Sequence, residues 1–543
     1  MPLAEECLAE PLRAQYGGGI VRNPEFNDGL KGWSVFGLGQ IAERTSDTGN
    51  RFLATDRRSL SHQSMSQKVY LKRGMLYTFS AWLQVDQGNT TVTAIFKTAE
   101  DGLVPVGAAE ARSGCWSMLK GGLTAKSSGP AEFFFESEET SVEIWVDSVS
   151  LQPFTEDQWR AHQEESINKV RKKTVAIQAV DANGHALPGA SVSIQQTRPG
   201  FPLGCAMKYT ILHSSAYQSW FTARFPVTTF TNEMKWYSNE RTQGKENYAD
   251  ADAMLAFAKQ HGIAVRGHNV IWDNRDTVQK WVQALPTDKL REAVNRRFYS
   301  VMGRYRDQLI AWDVVNENIH FSYYESRLGE NASAIFYQLA HQLDSHALMF
   351  LNEFNTLEWH DERKVSPDNY LQKLRQIQSF GNVPRMAIGL QGHFGTPDIA
   401  YMRSTLDKLA GANVPIWLTE LDVAHSNESK NLEDILREAY SHPGVQGIVI
   451  FGVWNPQGCI SRMCLTDVNF NNLPTGDVVD KLISEWKTHN ASATTDADGL
   501  LRAELFHGEY KITINHPSSN SPSVQSLTVD PASQNNNVLR VIV

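Results

Sequence analysis

Between residues 199 and 488 short apolar runs recur at nearly even spacing, and stretches of helical character separate them. The runs are LGCAM (203–207), VTTFT (227–231), IAVRGH (263–268), LIAWDVVNE (309–317), LMFLNE (348–353), MAIGLQGH (386–393), IWLTE (416–420) and GIVIFGVW (447–454). Helical candidates such as DADAMLAFAKQHG and PTDKLREAVNRRFYSVMGRYR lie between them. Eight β-then-α units in roughly 290 residues match the count and size of a (β/α)8 TIM barrel. The alternative is a doubly wound open sheet. That fold wants a Gly-rich phosphate turn after its first strand, and LGCAM does not lead into one.

The chain has 543 residues, too many for one core. Residues 18–154 read as all-β. Alternating runs such as YTFSAWLQV, TVTAIFKT, AEFFFES and SVEIWVDSVSL are separated by turn residues, which predicts a β-sandwich or jelly-roll module. Residues 155–173 turn polar. Thr155 with Gln158 forms a capping box ahead of a charged linker helix. Two distant segments, 174–198 and 489–543, each read as strand, turn, strand around DANG and DADG turns. They resemble halves of a small β-sandwich of the carboxypeptidase-regulatory type, split around the barrel. Two separate decorations are the other reading.

Lys plus Arg is 51 and Asp plus Glu is 60, a net charge of −9. Such a chain has no global attraction for phosphate backbones or anionic lipid, so neither nucleic acid nor membrane is an expected partner. No apolar run approaches the roughly 20 residues that span a bilayer. The N-terminal MPLAEECLAE shows no basic and apolar leader, so no signal peptide is visible. Five cysteines do not make a disulfide scaffold. Cys459 and Cys464 are close enough to bridge, while Cys7, Cys115 and Cys205 read as lone thiols. Asn-x-Ser/Thr triplets at Asn89, Asn331, Asn427 and Asn490 permit glycosylation. No HExxH, paired-Cys, GxSxG or phosphate-loop pattern occurs, so no metal and no cofactor is expected.

Polar groups recur where each apolar run stops: Asn232 and Lys235, His268, Asn316 and Glu317, Asn352, Gln391 and His393, and Glu420. A buried strand does not need them, whereas a site shared at one rim of a barrel does. Glu317 and Glu420 end strands four and seven and would face each other across the mouth. Cleaving an acetal needs a proton on the leaving oxygen and a nucleophile or activated water at the anomeric carbon. Two carboxyl groups roughly 5 Å apart do this with retention, and roughly 6.5–9.5 Å apart with inversion. Either acid alone reads more plainly as a solvated loop residue.

WDVVNENIHF, WLTELDV, RGHNVIWD, TNEMKW and LQGHF resemble the glycoside hydrolase family 10 xylanases, and GCISRMCLTDVNFNNLPTGDVVDKL resembles their plant branch. Residues 18–154 are similar to a family 22 carbohydrate-binding module. The resemblance implies Glu317 as general acid/base, Glu420 as nucleophile and a retaining mechanism through a covalent glycosyl-enzyme. It implies that Asn316 bonds the sugar 2-hydroxyl, and that His393, backed by Asp422, bonds the nucleophile. Lys235, Asn232, His268 and Gln391 would hold the non-reducing-side sugars, with Trp272 as an aromatic wall and Phe451 under the sugar at the cleavage point. The other Trp residues read mostly as core.

Three positions depart from the family pattern. Thr231 replaces a sugar-binding Glu, a charge-assisted hydrogen bond contributing roughly 1.5–3 kcal/mol, for which Glu233 offers partial compensation. Phe451 stands where Trp is usual, and Phe354 where Tyr is usual. In the module the aromatic platform is replaced by His62 in RRSLSHQSMSQK, leaving Arg44 and Glu136 as sugar-contact candidates. The expected activity is endo-1,4-β-xylanase on cell-wall xylan, secreted, with the polysaccharide as partner. The alternatives are a xylan-binding pseudoenzyme and a hydrolase or transglycosylase for another β-linked glycan.

Overall fold

The structure is a computed structural model that describes residues 7–380, 383–424, 427–454, 462–519, 521–531 and 538–543. The apolar runs form eight parallel strands: β1 (Leu203–Met207), β2 (Val227–Phe230), β3 (Ala264–Trp272), β4 (Ala311–Asn316), β5 (Leu348–Glu353), β6 (Met386–Leu390), β7 (Ile416–Val423) and β8 (Val445–Ile450). They pair in chain order, and β8 pairs with β1 to close a (β/α)8 barrel. Continuous apolar sequence is what strands buried on both faces require. Inside the ring Val227, Ala311, Phe350, Ala387, Trp417 and Val449 pack together. Outside it, helix Thr287–Tyr305 turns Leu290, Val294, Phe298 and Val301 inward at helical spacing. Two strand glycines make room for indoles. A Cβ on Gly267 would lie 2.3 Å from the Trp312 ring, and one on Gly447 would lie 2.4 Å from the Trp417 ring.

Several expected boundaries shift. β7 runs on to Val423, so Glu420 sits inside the strand rather than ending it, and β6 stops at Leu390, ahead of Gln391 and His393. β3 continues through Trp272, so His268 sits inside the strand, just before a break in register with β4. β8 runs Val445–Ile450, which leaves Phe451 immediately past its end.

Ahead of the barrel, residues 34–154 form two five-stranded antiparallel sheets around Trp33, Phe79, Phe96, Phe133 and Leu151. The N-terminal segment joins them: Leu8 bridges Trp116, and Cys7 forms a disulfide with Cys115. That corrects the expectation of lone thiols at both positions. Strand bridging brings the two together across 108 residues of sequence, a pairing spacing alone does not show. Cys205 is a buried free thiol, and Cys464 is disulfide-bonded. Cys459 lies outside the described residues.

Helix Glu156–Arg171 carries the expected Thr155–Gln158 capping box. It lies against the barrel rather than spanning open space. Trp159 and Gln163 both donate to Glu438 at 2.7 Å, and Arg171 donates to the Tyr440, His442 and Val445 carbonyls. Strands from the segments flanking the barrel interleave. Lys172–Val180 pairs with Leu500–Phe506 and Val538–Ile542, and Ser191–Pro199 pairs with Ala491–Thr494 and Gly508–Asn515. Val175, Ile177 and Ile194 share one core with Leu505, Ile512 and Val541. Among the described residues no helix is long and apolar enough to cross a membrane.

Candidate active site

Glu317 is the first residue past β4, with φ of 60°, in the left-handed region that a non-glycine residue enters at some cost. Its N–H donates to the Asn352 carbonyl at 2.9 Å, which ties the turn to the end of β5. Glu317 as a whole is 7% exposed. Trp272, at the end of neighbouring β3, donates Nε1–H to Oε2 at 2.7 Å, and Gln391 donates to Oε1 at 3.1 Å. Burial pushes Glu317 up to about 7. The two hydrogen bonds work against that rise, and the charges of Glu353 and Glu420 add to it.

Glu420 lies in β7, also 7% exposed. Its N–H donates to the Gln391 carbonyl at 2.9 Å, and its Oε1 accepts from Asn352 Nδ2 at 2.9 Å. His268 Nε2 stands 3.8 Å from Oε1 and His393 Nε2 stands 3.8 Å from Oε2. Gln391 therefore touches both acids, one by side chain and one by backbone. The same Asn352 amide donates to Asn316 Oδ1 at 2.9 Å, and its oxygen accepts from Thr419. Both side-chain N–H donors of Asn352 thus go to aligning Glu420 with Asn316, while its side-chain oxygen is held by Thr419.

Behind this layer the two histidines are oriented by acids. His268 Nδ1 donates to Asp313 at 2.7 Å, and Asp313 accepts from Arg266 at 2.7 Å. Arg266 is buried in the barrel, 4.6 Å over the Phe350 ring. Burial would raise Asp313, but Arg266 and His268 hold it below the ordinary carboxylate range. His393 Nδ1 donates to Asp422 at 3.0 Å, and Asp422 also accepts from Arg462. Burial disfavours the imidazolium, yet Asp422 and then Glu420 hold His393 above the ordinary histidine range. Lys235 is buried, with Nζ 4.7 Å over the Trp272 ring. Burial draws its ammonium below the usual lysine range against the pull of Glu420 and Glu317. Asn232 is exposed and accepts from Tyr237 at 2.8 Å. Phe451 is half-buried, its ring 6.3 Å from that of His268.

The barrel candidates thus stand at one rim. The two module candidates do not share a site. Arg44 pairs with Glu143 at 3.3 Å and Asp56 at 3.9 Å on one sheet. Glu136 closes a strand of the other sheet and is ion-paired with Arg363 of the barrel. Trp33, Trp82 and Trp116 are buried, as expected of core residues.

The sequence reading assigned no role to Asn352, Asp313 or Arg266. Asn352 carried a signal, since it stands at a strand end like Asn316. A third acid, Glu353, meets the same pattern as Glu317 and Glu420. Its Oε1 accepts from His320 Nδ1 at 2.6 Å and the Phe354 N–H at 3.1 Å, and its Oε2 from the Ile319 and His320 N–H groups. With its oxygens so engaged it is a structural anchor. Of the departures, Phe354 stacks on His320 at 3.7 Å. Glu233 spends both oxygens on backbone, accepting from the Tyr209 N–H at 3.1 Å and the Asn232 N–H at 3.0 Å. It therefore offers less compensation for Thr231 than the sequence suggested.

A (β/α)8 barrel with one carboxyl group pushed up to about 7 by burial and one aligned by hydrogen bonds at its C-terminal rim has the equipment for acid-assisted displacement at an acetal carbon. The chain belongs to glycosyl hydrolase family 10: the sequence pattern described as Glycosyl hydrolase family 10 matches residues 193–477. It is similar along its whole length to Endo-1,4-beta-xylanase 5-like of Arabidopsis thaliana, 40% identical over 558 residues, covering 100% of this chain and 94% of that protein. Endo-1,4-beta-xylanase 4 of the same plant is 40% identical over 531 residues, covering 94% of this chain and 93% of that protein.

Proposed function

We propose that this protein is an endo-acting, retaining glycosidase that cleaves the β-1,4-xylosidic bonds of xylan. The observation that carries the reading is the unequal carboxyl pair. Glu317 is pushed up to about 7 by burial, and Glu420 is gripped by Asn352 across the same rim. Family membership and full-length plant relatives named as endo-1,4-β-xylanases support the substrate.

In the first step Glu317 gives its proton to the leaving glycosidic oxygen while a Glu420 oxygen bonds the anomeric carbon. The glycosidic bond breaks and a covalent glycosyl-enzyme forms. Esterification removes the charge of Glu420, one of the charges that raise Glu317. Glu317 then becomes more acidic and takes a proton from the incoming water, whose oxygen bonds the anomeric carbon as the bond to Glu420 breaks and its carboxylate is restored. With its oxygen taken by Asn352, Asn316 has its amide N–H groups to offer the sugar 2-hydroxyl. Lys235, Asn232, His268 and Gln391 hold the non-reducing-side sugars, against Trp272 and over Phe451, while His393, backed by Asp422, faces the Glu420 carboxylate.

We read the N-terminal sheets as a module of the family 22 carbohydrate-binding type that caps the barrel, with Arg44 and Glu136 spent on ion pairs. A secreted, cell-wall location is supported by the Cys7–Cys115 disulfide, which persists in oxidising compartments, and by exposed sequon asparagines at positions 89, 427 and 490. Reducing-sugar release from β-1,4-xylan, compared between the protein and Glu420→Gln, tests the activity. Release by the native protein alone is expected, and equal release by both would overturn the reading.

A further inference from the structure

The loop after β5 carries a tryptophan that the site described above does not use. Trp359 is 54% exposed. A lone exposed apolar side chain is ordinary on a protein surface. This one differs in how firmly its backbone is held to the groove. One residue earlier, Glu358 Oε1 accepts from the Gly392 and His393 N–H groups, both at 2.9 Å. One residue later, His360 lies 3.4 Å from Asp398. Glu362 accepts from His320 at 2.8 Å, and Arg363 reaches the module's Glu136 and Glu138. The same His393 faces Glu420. The loop that carries the indole is therefore anchored on both sides of Trp359, on one side to the backbone of the histidine that faces Glu420, and the indole is presented to water.

Its side of the groove follows from strand order. Asn232 and Lys235 follow β2, and Trp272 ends β3. The loop bearing Trp359 follows β5, beyond the acid Glu317 that ends β4. A chain held at β2 and β3 and cleaved between Glu317 and Glu420 has its departing portion directed toward β5 and β6. A flat ring fixed in advance binds the apolar face of a pyranose with little ordering cost.

We propose that Trp359 is a stacking platform for a sugar of the leaving-group portion of the xylan chain, beyond the unit next to Glu317. The module, through Arg363, helps keep the loop in place. This rests on the xylanase reading.

The test compares kcat/KM for reducing-end-labelled xylohexaose with that for an aryl xylobioside, which carries no sugar past the cleaved bond. In Trp359→Ala the hexaose-to-aryl ratio falls about three- to tenfold. Cleavage also moves toward bonds with fewer sugars on the leaving side. Trp359→Phe recovers most of the ratio. An unchanged ratio and cleavage pattern in Trp359→Ala overturns the proposal. Absence of turnover by the native protein would instead break the xylanase reading. Calorimetric binding of xylohexaose then decides for Trp359: weaker binding by Trp359→Ala supports the platform, and equal or no binding by both proteins refutes it.

Discussion

Glu420 and Glu136 each stand at or near the end of an apolar strand, one in the barrel and one in the N-terminal sheets, and the resemblances point to sugar contact for both. Their surroundings differ. Glu420 is buried, aligned by an asparagine, and faced by two histidines, each held by its own aspartate. Glu136 meets a barrel arginine, Arg363, which it shares with its neighbour Glu138. A strand-end carboxylate becomes chemical equipment when neighbouring strands converge on it with oriented partners. Without that convergence it serves as one half of an ion pair. Glu353 makes the same point inside the barrel, since its oxygens are consumed by His320 and backbone.

The comparison breaks most sharply at the nucleophile. Glu420→Gln is expected to lower kcat on xylan by about 10⁴-fold or more, since residues that act as a unit lose nearly everything when one is removed. A loss below about tenfold would put Glu420 on a level with Glu136. Next comes Glu317→Gln, with an expected loss of about 10²–10⁴-fold. In the native protein kcat/KM should fall as pH rises through about 7, where Glu317 loses its proton, and the variant should lack that alkaline limb. The sign for stability agrees. A carboxyl group whose folded value is raised from 4.5 to about 7 contributes fully below 4.5 and loses that contribution as pH climbs through 7. Thermal unfolding of Glu317→Gln should therefore gain on the native protein as pH rises from about 4.5 to about 7 and keep that gain at higher pH.

Asn352→Ala removes the donor to Glu420 and to Asn316 and strands the Thr419 hydroxyl, a buried loss of about 1–3 kcal/mol. Steady-state kinetics should show kcat lowered about ten- to a hundredfold with both acids still present. The smallest effect belongs to the module. Glu136→Gln should leave kcat on xylan within about twofold and change unfolding stability by only about 1 kcal/mol, since its Arg363 partner is largely exposed and solvated. A large loss of xylan affinity in that variant would instead make the module a sugar site.

Much of the barrel and its pair of acids was legible in the sequence, because strands buried on both faces must be apolar and the polar residue that ends each run stands out. His268 was placed at a strand end although β3 runs on to Trp272, since an inward polar side chain near a register break looks like a terminus. The Cys7–Cys115 bridge and the Arg363–Glu136 pair were hidden because their partners are 108 and 227 residues apart and meet only through tertiary packing. Asn352 was visible as a strand-end polar residue. Its role depends on three partners from two distant places in the chain, Asn316 on β4 and the adjacent Thr419 and Glu420 on β7.

The central claim is that Glu420 forms a covalent bond to the sugar while Glu317 handles the proton. Incubation with a 2-deoxy-2-fluoro-xylobioside bearing an activated leaving group, followed by peptide mass mapping, tests it most directly. A fluoroglycosyl adduct on the peptide containing Glu420, absent from Glu420→Gln, is the expected result. Turnover without an adduct, or an adduct on any other residue, would contradict it.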